Sequence, residues 1–247
     1  MLFMKDNFST HSSAYAKFRP TYPQKLYEFL QAKLTDTETA WDCGTGNGQV
    51  AGELAEFFQK VKATDISKQQ LKNAVKKNNI QYSLQGAEKT NFQDNTFDLI
   101  TVAQAIHWFN FKDFYKEAKR VLKPNGIIAV IGYSLFNTTP ETDEVIRKFY
   151  NDIIGPFWDE ERRYLDEKYK NIPFPFHEIE TPEFQQEYQW SFEHLIGYLE
   201  TWSAVKHHEK ETGENPVNLI KNELKTAFGS QNKIVFPILF RLGKFKD

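Results

Sequence analysis

The run Asp42-Cys-Gly-Thr-Gly-Asn-Gly48 spaces three glycines two residues apart. Residues without a Cβ at such positions let main-chain amides approach a ligand closely. Thr39 to Cys43 reads as a strand and Gln49 to about Gln59 as a helix, so the glycines occupy a strand-to-helix turn. A dinucleotide-binding fingerprint needs its third glycine three positions after the second, where this chain has Gln49, and that weakens a pyrophosphate-binding reading. Asp65 closes a second strand, Val61 to Thr64, 21 residues beyond Gly44. A carboxylate there can accept hydrogen bonds from both hydroxyls of a ribose, which points to a ribose-bearing ligand without a 2′-phosphate.

The elements that must hold these residues follow from the patterning. Short apolar or β-branched runs alternate with amphipathic stretches, the mark of βαβ units. Pro23 opens a helix over Lys25 to Lys33 whose Leu26, Phe29 and Leu30 share one face. Ser67 reads as a helix N-cap, and the basic stretch Lys68 to Lys77 after it as a solvated helix face. Further strands are read at Ile80 to Gln85, Phe97 to Ala103 and Ile127 to Ile131. A helix from Phe111 to Leu122 is read as stopped by Pro124-Asn-Gly126.

Beyond Tyr133 the regularity fails. The stretch to about Phe184, with Ile172-Pro-Phe-Pro-Phe176, reads as an insertion covering the carboxyl edge of the sheet. A helical segment from Phe192 to about Lys210 lies between the strand-like runs Gln186 to Trp190 and Ile234 to Phe240, and Pro237 argues that the last run is an edge strand. The fold expected is α/β, a doubly wound, Rossmann-like, mostly parallel seven-stranded sheet with an antiparallel C-terminal edge strand and a helical insertion. It is read as one domain, 1–247: a lid and ligand-binding half (1–132), a substrate cover (133–185), and C-terminal strands and helices (186–247).

Composition narrows the function classes. Lys plus Arg (31) nearly balance Asp plus Glu (33), so no whole-domain field attracts a polyanion, and nucleic acid is not expected as a partner. Cys43 is the single cysteine, which excludes an internal disulfide and fits a reducing cytoplasm; it reads as an inert strand residue. The first ten residues lack the apolar core of a signal peptide, and no run approaches a membrane span. The histidines show no metal-ligand spacing, because the adjacent His207 and His208 would point apart on a helix, and no metal is expected. Aromatic residues make up 15%, enough for some to line a small-molecule pocket.

The glycine loop and Asp65 together resemble the first two motifs of class I S-adenosylmethionine-dependent methyltransferases. Phe18-Arg-Pro-Thr-Tyr-Pro23, Val102-Ala-Gln-Ala-Ile-His-Trp-Phe109 and Arg120-Val-Leu-Lys-Pro-Asn-Gly126 resemble the small-molecule branch that includes trans-aconitate methyltransferases. The likeness is good to about Tyr133 and loose beyond. Cys43 and Thr45 stand where such families vary among small residues. The Asn- or Asp-Pro-Pro-aromatic run of nucleic-acid adenine-amino methyltransferases is replaced by Ala103-Gln-Ala-Ile106.

The resemblance implies S-adenosylmethionine as cofactor and S-adenosylhomocysteine as product. It places Asp42 in the first motif, Gly44, Thr45 and Gly46 at the methionine end, Asp65 and Ile66 at ribose and adenine, and Ala87 and Glu88 at the adenine edge. Tyr15 and Arg19 would belong to a lid, with Arg19 pairing either with the cofactor carboxylate or in a surface salt bridge. Ligands of open α/β sheets lie beyond the carboxyl ends of the strands, which puts Ala103, Gln104, His107 and Trp108 near the methyl group. Methyl transfer is an in-line displacement that chiefly needs alignment and exclusion of water. For a carboxylate acceptor no base is required, so a positioning role for His107 is favoured over a base role.

Trp108, Tyr133, Tyr198 and Trp202 are candidates to wall an acceptor site, and Arg162 or Arg163 to grip a carboxylate, against the plainer reading of Glu160-Glu-Arg-Arg163 as an exposed charge cluster. The expected activity is O-methylation of a small carboxylic acid by a monomer or homodimer. The alternatives are C- or N-methylation of another metabolite, a non-catalytic cofactor-binding protein, and a nucleotide-dependent oxidoreductase disfavoured by Gln49.

Overall fold

The computed structural model describes residues 18–230 and 232–245. Helix α1 (Gln24–Lys33) precedes β1 (Thr39–Cys43), α2 (Gln49–Leu54), β2 (Lys60–Asp65), α3 (Lys68–Lys72), β3 (Ile80–Leu84) and β4 (Phe97–Ala103). A 3-10 turn (Ile106–Trp108), α4 (Phe111–Val121) and the long β5 (Leu122–Tyr133) complete this half. The cover contains α5 (Pro140–Lys148), a π turn (Phe149–Ile153), two 3-10 turns (Gly155–Phe157 and Glu160–Arg162) and α6 (Arg163–Asp166). Then come β6 (His177–Ile179), β7 (Phe184–Gln189), α7 (Phe192–Leu199), α8 (Ser203–Thr212), α9 (Val217–Phe228) and β8 (Lys233–Lys244).

The described strands form one eight-stranded sheet in the order β3-β2-β1-β4-β5-β8-β6, with β7 also paired to β8. β1 to β5 pair in parallel, whereas β8 runs antiparallel to β5, β6 and β7. Successive side chains of a strand point to opposite faces, and here both faces are covered. Ala40, Leu99, Ala129 and Ile131 enter one core with α1 and α2; Trp41, Ile100, Val102 and Val130 enter the other with α4. Burial on both sides is why these strands read as continuous apolar runs.

The α/β class and the parallel order are as expected, and several details differ. The sheet has eight described strands rather than seven, because the 133–185 segment adds β6. β8 is not an edge strand: it lies between β5 on one side and β6 and β7 on the other. Pro237 fits there because Ser134 N donates to its carbonyl (3.2 Å) just past Tyr133, the last residue of β5. A strand residue presents its nitrogen and carbonyl to the same neighbour, so the missing N–H faces the place where β5 has already ended.

Pro124-Asn-Gly126 does not separate α4 from its strand. β5 begins at Leu122 and runs through these residues, and the β4–β5 register shifts between Phe97 and Leu99, which absorbs the proline. The basic stretch at Lys68 is helical only to Lys72; Lys77 lies outside it and bonds the Gly52 carbonyl and Glu56. The helix expected over 192–210 is two helices, broken at Thr201-Trp202, and α9 follows where no element was expected.

Candidate functional site

The glycine loop turns sharply because its glycines take left-handed backbone: φ is +68° at Gly44, +54° at Gly46 and +78° at Gly48. Asp42, 1% exposed, clamps the turn from below. Its Oδ2 accepts from Thr45 Oγ1 (2.5 Å) and Ala51 N (3.1 Å), and its Oδ1 from Thr101 Oγ1 (2.8 Å). Burial pushes the Asp42 carboxyl up to about 6, against the lowering effect of these bonds. Asp42 therefore holds the loop and the start of α2 together. A Cβ on Gly44 would come within 2.8 Å of Ala105 Cβ, whereas a Cβ on Gly46 would meet nothing within 4 Å. Gly44 allows two loops to touch, and Gly46 leaves its main chain open toward the cleft.

Asp65 joins the two motifs physically. Its Oδ2 accepts from Gly46 N and its Oδ1 from Ser67 N, both at 2.8 Å. A carboxylate oxygen accepts more than one hydrogen bond, so this use is compatible with a ribose contact. Ser67 caps α3 as expected, accepting from Gln70 N at 3.2 Å.

Between these loops lies a cleft of about 1080 Å³, part of it open to solvent. Arg19, Asp42, Gly44, Thr45 and Gly46 line it, as do Asp65, Ile66, Ala87, Ala103 and Gln104. All ten were expected at a cofactor. Trp108 and Tyr133, expected at the acceptor, line it too. Glu88 does not; its Oε1 accepts from Asn110 N (3.1 Å) and fixes the start of α4. Tyr15 lies outside the described residues. Asn47, Gln49, Ser67, Gln70, Gln85 and Phe109 also line the cleft and were not singled out. Asn47 and Gln49 adjoin the glycines and are implicit in that motif; Gln85 follows β3 with no signal of its own.

Gln104 ends β4 in left-handed backbone, φ +54°. Its Oε1 accepts from Tyr133 N (3.0 Å) and its Nε2 approaches the Tyr133 carbonyl (3.4 Å). The side chain thus serves as a strand partner for β5 and braces the floor of the cleft. A non-glycine residue in this conformation is strained by about 1–3 kcal/mol, and such strain concentrates at functional sites.

A second, smaller pocket opens beside the first. It shares Arg19, Gln104 and Trp108 with the cleft and adds His107, Trp158, Asp159, Arg162, Leu165 and Ser203. Arg162 is fixed in it: Nε donates to Tyr150 Oη (2.7 Å) and lies 3.5 Å from Asp166 Oδ1, with the guanidinium 4.7 Å from the Trp158 ring centroid. Arg19 sits at the junction of the two cavities, donating from Nη1 to Tyr133 Oη (3.1 Å) and from Nη2 to the Thr201 carbonyl (2.9 Å). His107 is 5% exposed, and burial first, then the Arg162 charge, pushes its imidazole down to about 3. The ring is neutral across the physiological range and is a weak base.

Three expected acceptor residues are placed elsewhere. Tyr198 (3% exposed) and Trp202 (2%) are packed in the core, Trp202 against Phe149, Tyr150 and Trp158. Arg163 is exposed, over the ring of Tyr164. A large aromatic residue is equally suited to a core or to a pocket wall, and Tyr198 and Trp202 lie in the core. Trp158, Asp159 and Ser203 carry no motif, so nothing in the sequence marked them. Among the described residues no three His, Cys, Asp or Glu side chains are grouped to hold a metal ion. Among the same residues, no helix is long and apolar enough to cross a membrane.

Comparison with known proteins agrees with this geometry. The methyltransferase domain family matches residues 41–130, from β1 into β5. A Dictyostelium discoideum protein named as a methyltransferase is 34% identical and aligns over 97% of this chain and 95% of its own length. The structure of a protein named as a type II methyltransferase from Anaeromyxobacter dehalogenans superposes with a TM-score of 0.84 at 35% identity, covering 92% of this chain and 98% of that one. A malonyl-[acyl-carrier protein] O-methyltransferase from a Marinomonas species is 32% identical over 50% of this chain and 47% of its own.

Proposed function

The chain belongs to the class I S-adenosylmethionine-dependent methyltransferases, and from that premise we propose that it methylates an oxygen of a small carboxylic acid held in the pocket of Arg162. The observation that carries this reading is the second pocket, which shares Arg19, Gln104 and Trp108 with the cleft and presents a fixed guanidinium. Arginine suits a carboxylate because its planar fork matches the two oxygens. The Marinomonas relative, similar over half of this chain, is by name an O-methyltransferase.

The cleft suits S-adenosylmethionine on features of its own: open main chain at Gly46, a carboxylate at the end of β2 and a polar rim. In this reading Gly44, Thr45 and Gly46 hold the methionine end, Asp65 the ribose, Ile66 and Ala87 the adenine, and Arg19 the cofactor carboxylate. When bound, the cofactor supplies an electrophilic methyl group on a sulfonium. The protein's part is to bind and align. Arg162 orients the acid, Trp108 walls both cavities, and Gln104, committed to β5, shapes the floor without reacting. A carboxylate is already ionised at neutral pH, so the neutral His107 need not remove a proton.

The test is a panel of mono-, di- and tricarboxylic acids incubated with the protein and S-adenosylmethionine, with methyl ester and S-adenosylhomocysteine followed by mass spectrometry. Ester from at least one acid, in step with S-adenosylhomocysteine, is expected. Turnover only with amines or carbon nucleophiles would replace this reading with the N- or C-methylation alternative.

A further inference from the structure

Lys168 and Tyr169 form a pair of successive non-glycine residues in left-handed backbone, φ +55° and +60°. L-residues enter that region singly and rarely, so the surroundings must impose it. Tyr169 N donates to the Tyr164 carbonyl (2.7 Å), and Arg241 Nη1 donates to the carbonyls of Tyr169 (3.1 Å) and Ile172 (2.8 Å). The bend drives a fully buried tyrosine ring onto β5 at Gly132, where a Cβ would lie 2.7 Å from the ring and 2.8 Å from the hydroxyl. The hydroxyl stands 3.4 Å from His107 Nδ1. That is long for a hydrogen bond, as such contacts often are before a ligand closes the site. A phenylalanine would fill the same core volume, so the contribution of the hydroxyl can be separated from the packing of the ring.

We propose that Tyr169 is a positioning residue whose hydroxyl donates to His107 Nδ1 and fixes the ring as the Nε2–H tautomer, which then donates to an oxygen of the bound acid. A neutral imidazole has one donor and one acceptor nitrogen. With Nδ1 taken by Tyr169, Nε2 is the nitrogen left for the pocket that His107 lines. This orientation rests on the carboxylic-acid reading, since the opposite tautomer would set a nitrogen lone pair against carboxylate lone pairs. Arg162 and His107 then contact the acid from the same small cavity, one as a cation and one as a neutral donor.

The tautomer is read on the free protein by long-range 1H–15N correlation of the histidine rings, with His107 assigned by its loss in His107→Gln. A pyridine-type Nδ1 and a pyrrole-type Nε2 are expected in the wild type, and a mixture of tautomers in Tyr169→Phe. The same variant is expected to raise KM for the acid roughly three- to tenfold, the scale of one neutral hydrogen bond, with donor affinity unchanged. A pyrrole-type Nδ1 in the wild type would overturn the proposal, and so would a Tyr169→Phe spectrum indistinguishable from it. The wild-type spectrum decides even if the variant fails to fold. Absence of methyl ester from every acid would remove the contact to an acid but not the Tyr169–His107 tautomer, which is measured without substrate.

Discussion

The stretch from Thr39 to Tyr133 and the cover that follows it meet at the smaller cavity, and each builds its part of the site by different means. The first offers main chain: the left-handed turn at Gly44 to Gly48, a strand-end carboxylate, amides bound at 2.8 Å. The second offers side chains held by other side chains, as Arg162 is held by Tyr150, Trp158 and Asp166. A site made of backbone depends on residues that are small; a site made of side chains depends on neighbours that are large. The first can keep its ligand across a family while the second changes its ligand by exchanging a few aromatics.

Five substitutions probe that contrast. Trp202→Ala removes a ring packed on Phe149, Tyr150 and Trp158 and is expected to destabilise the protein by about 3–5 kcal/mol in urea unfolding. An unchanged midpoint with a raised KM for the acid would show instead that Trp202 is a pocket wall. On the main-chain side, Gly44→Ala places a Cβ 2.8 Å from Ala105 in strained backbone and should destabilise by about 2–4 kcal/mol. Gly46→Ala, with open space around its Cβ, should cost only the backbone strain of its left-handed φ, about 1–2 kcal/mol, and lose donor affinity by calorimetry. Equal effects at the two glycines would contradict the division of roles between them.

A smaller change concerns pH. The Asp42 carboxyl is raised to about 6 in the folded protein, chiefly by burial, so the folded state keeps this proton to higher pH than the unfolded chain does. Its contribution to stability is therefore full below about 4 and declines as pH rises through about 6. Asp42→Asn keeps an acceptor for Thr45 and Ala51 and should flatten that part of the melting-temperature profile between pH 4 and 7. A profile as steep as the wild type's would assign the slope to another group. The smallest effect is expected from Arg162→Ala: roughly tenfold on KM for the acid, from loss of a charge-assisted contact, with donor affinity unaltered. A loss of donor affinity instead would move Arg162 to the cofactor side of the contrast.

The same contrast explains what could be read from the sequence. Glycine spacing, Asp65 and the apolar alternation are local signals that located β1 to β5, and the family resemblance that rests on them named ten of the cleft-lining residues. Pro237 misled because its tolerance depends on where β5 ends, a fact about another part of the chain. Tyr198 and Trp202 lie in the core, which the sequence could not distinguish from a pocket wall because a large aromatic residue is equally suited to either. Trp158 and Asp159 reach the small pocket through a π turn and 3-10 turns that no periodicity announces, and Ser203 through the break before α8. Gln104 was placed at the strand end, but its bond to Tyr133 depends on the register of β4 against β5.

The position of β8 has a consequence for how the molecule is made. During synthesis β6 and β7 leave the ribosome before β8, yet within the described sheet both pair with it alone. The five parallel strands can assemble while translation continues, but these two ribbons must wait for residues 233–244. Contacts that distant in sequence form slowly. Nascent protein should therefore acquire its glycine-loop half early and the half that carries Arg162 only as the final interior strand slides home, a delay in which a chaperone would find exposed aromatic surface.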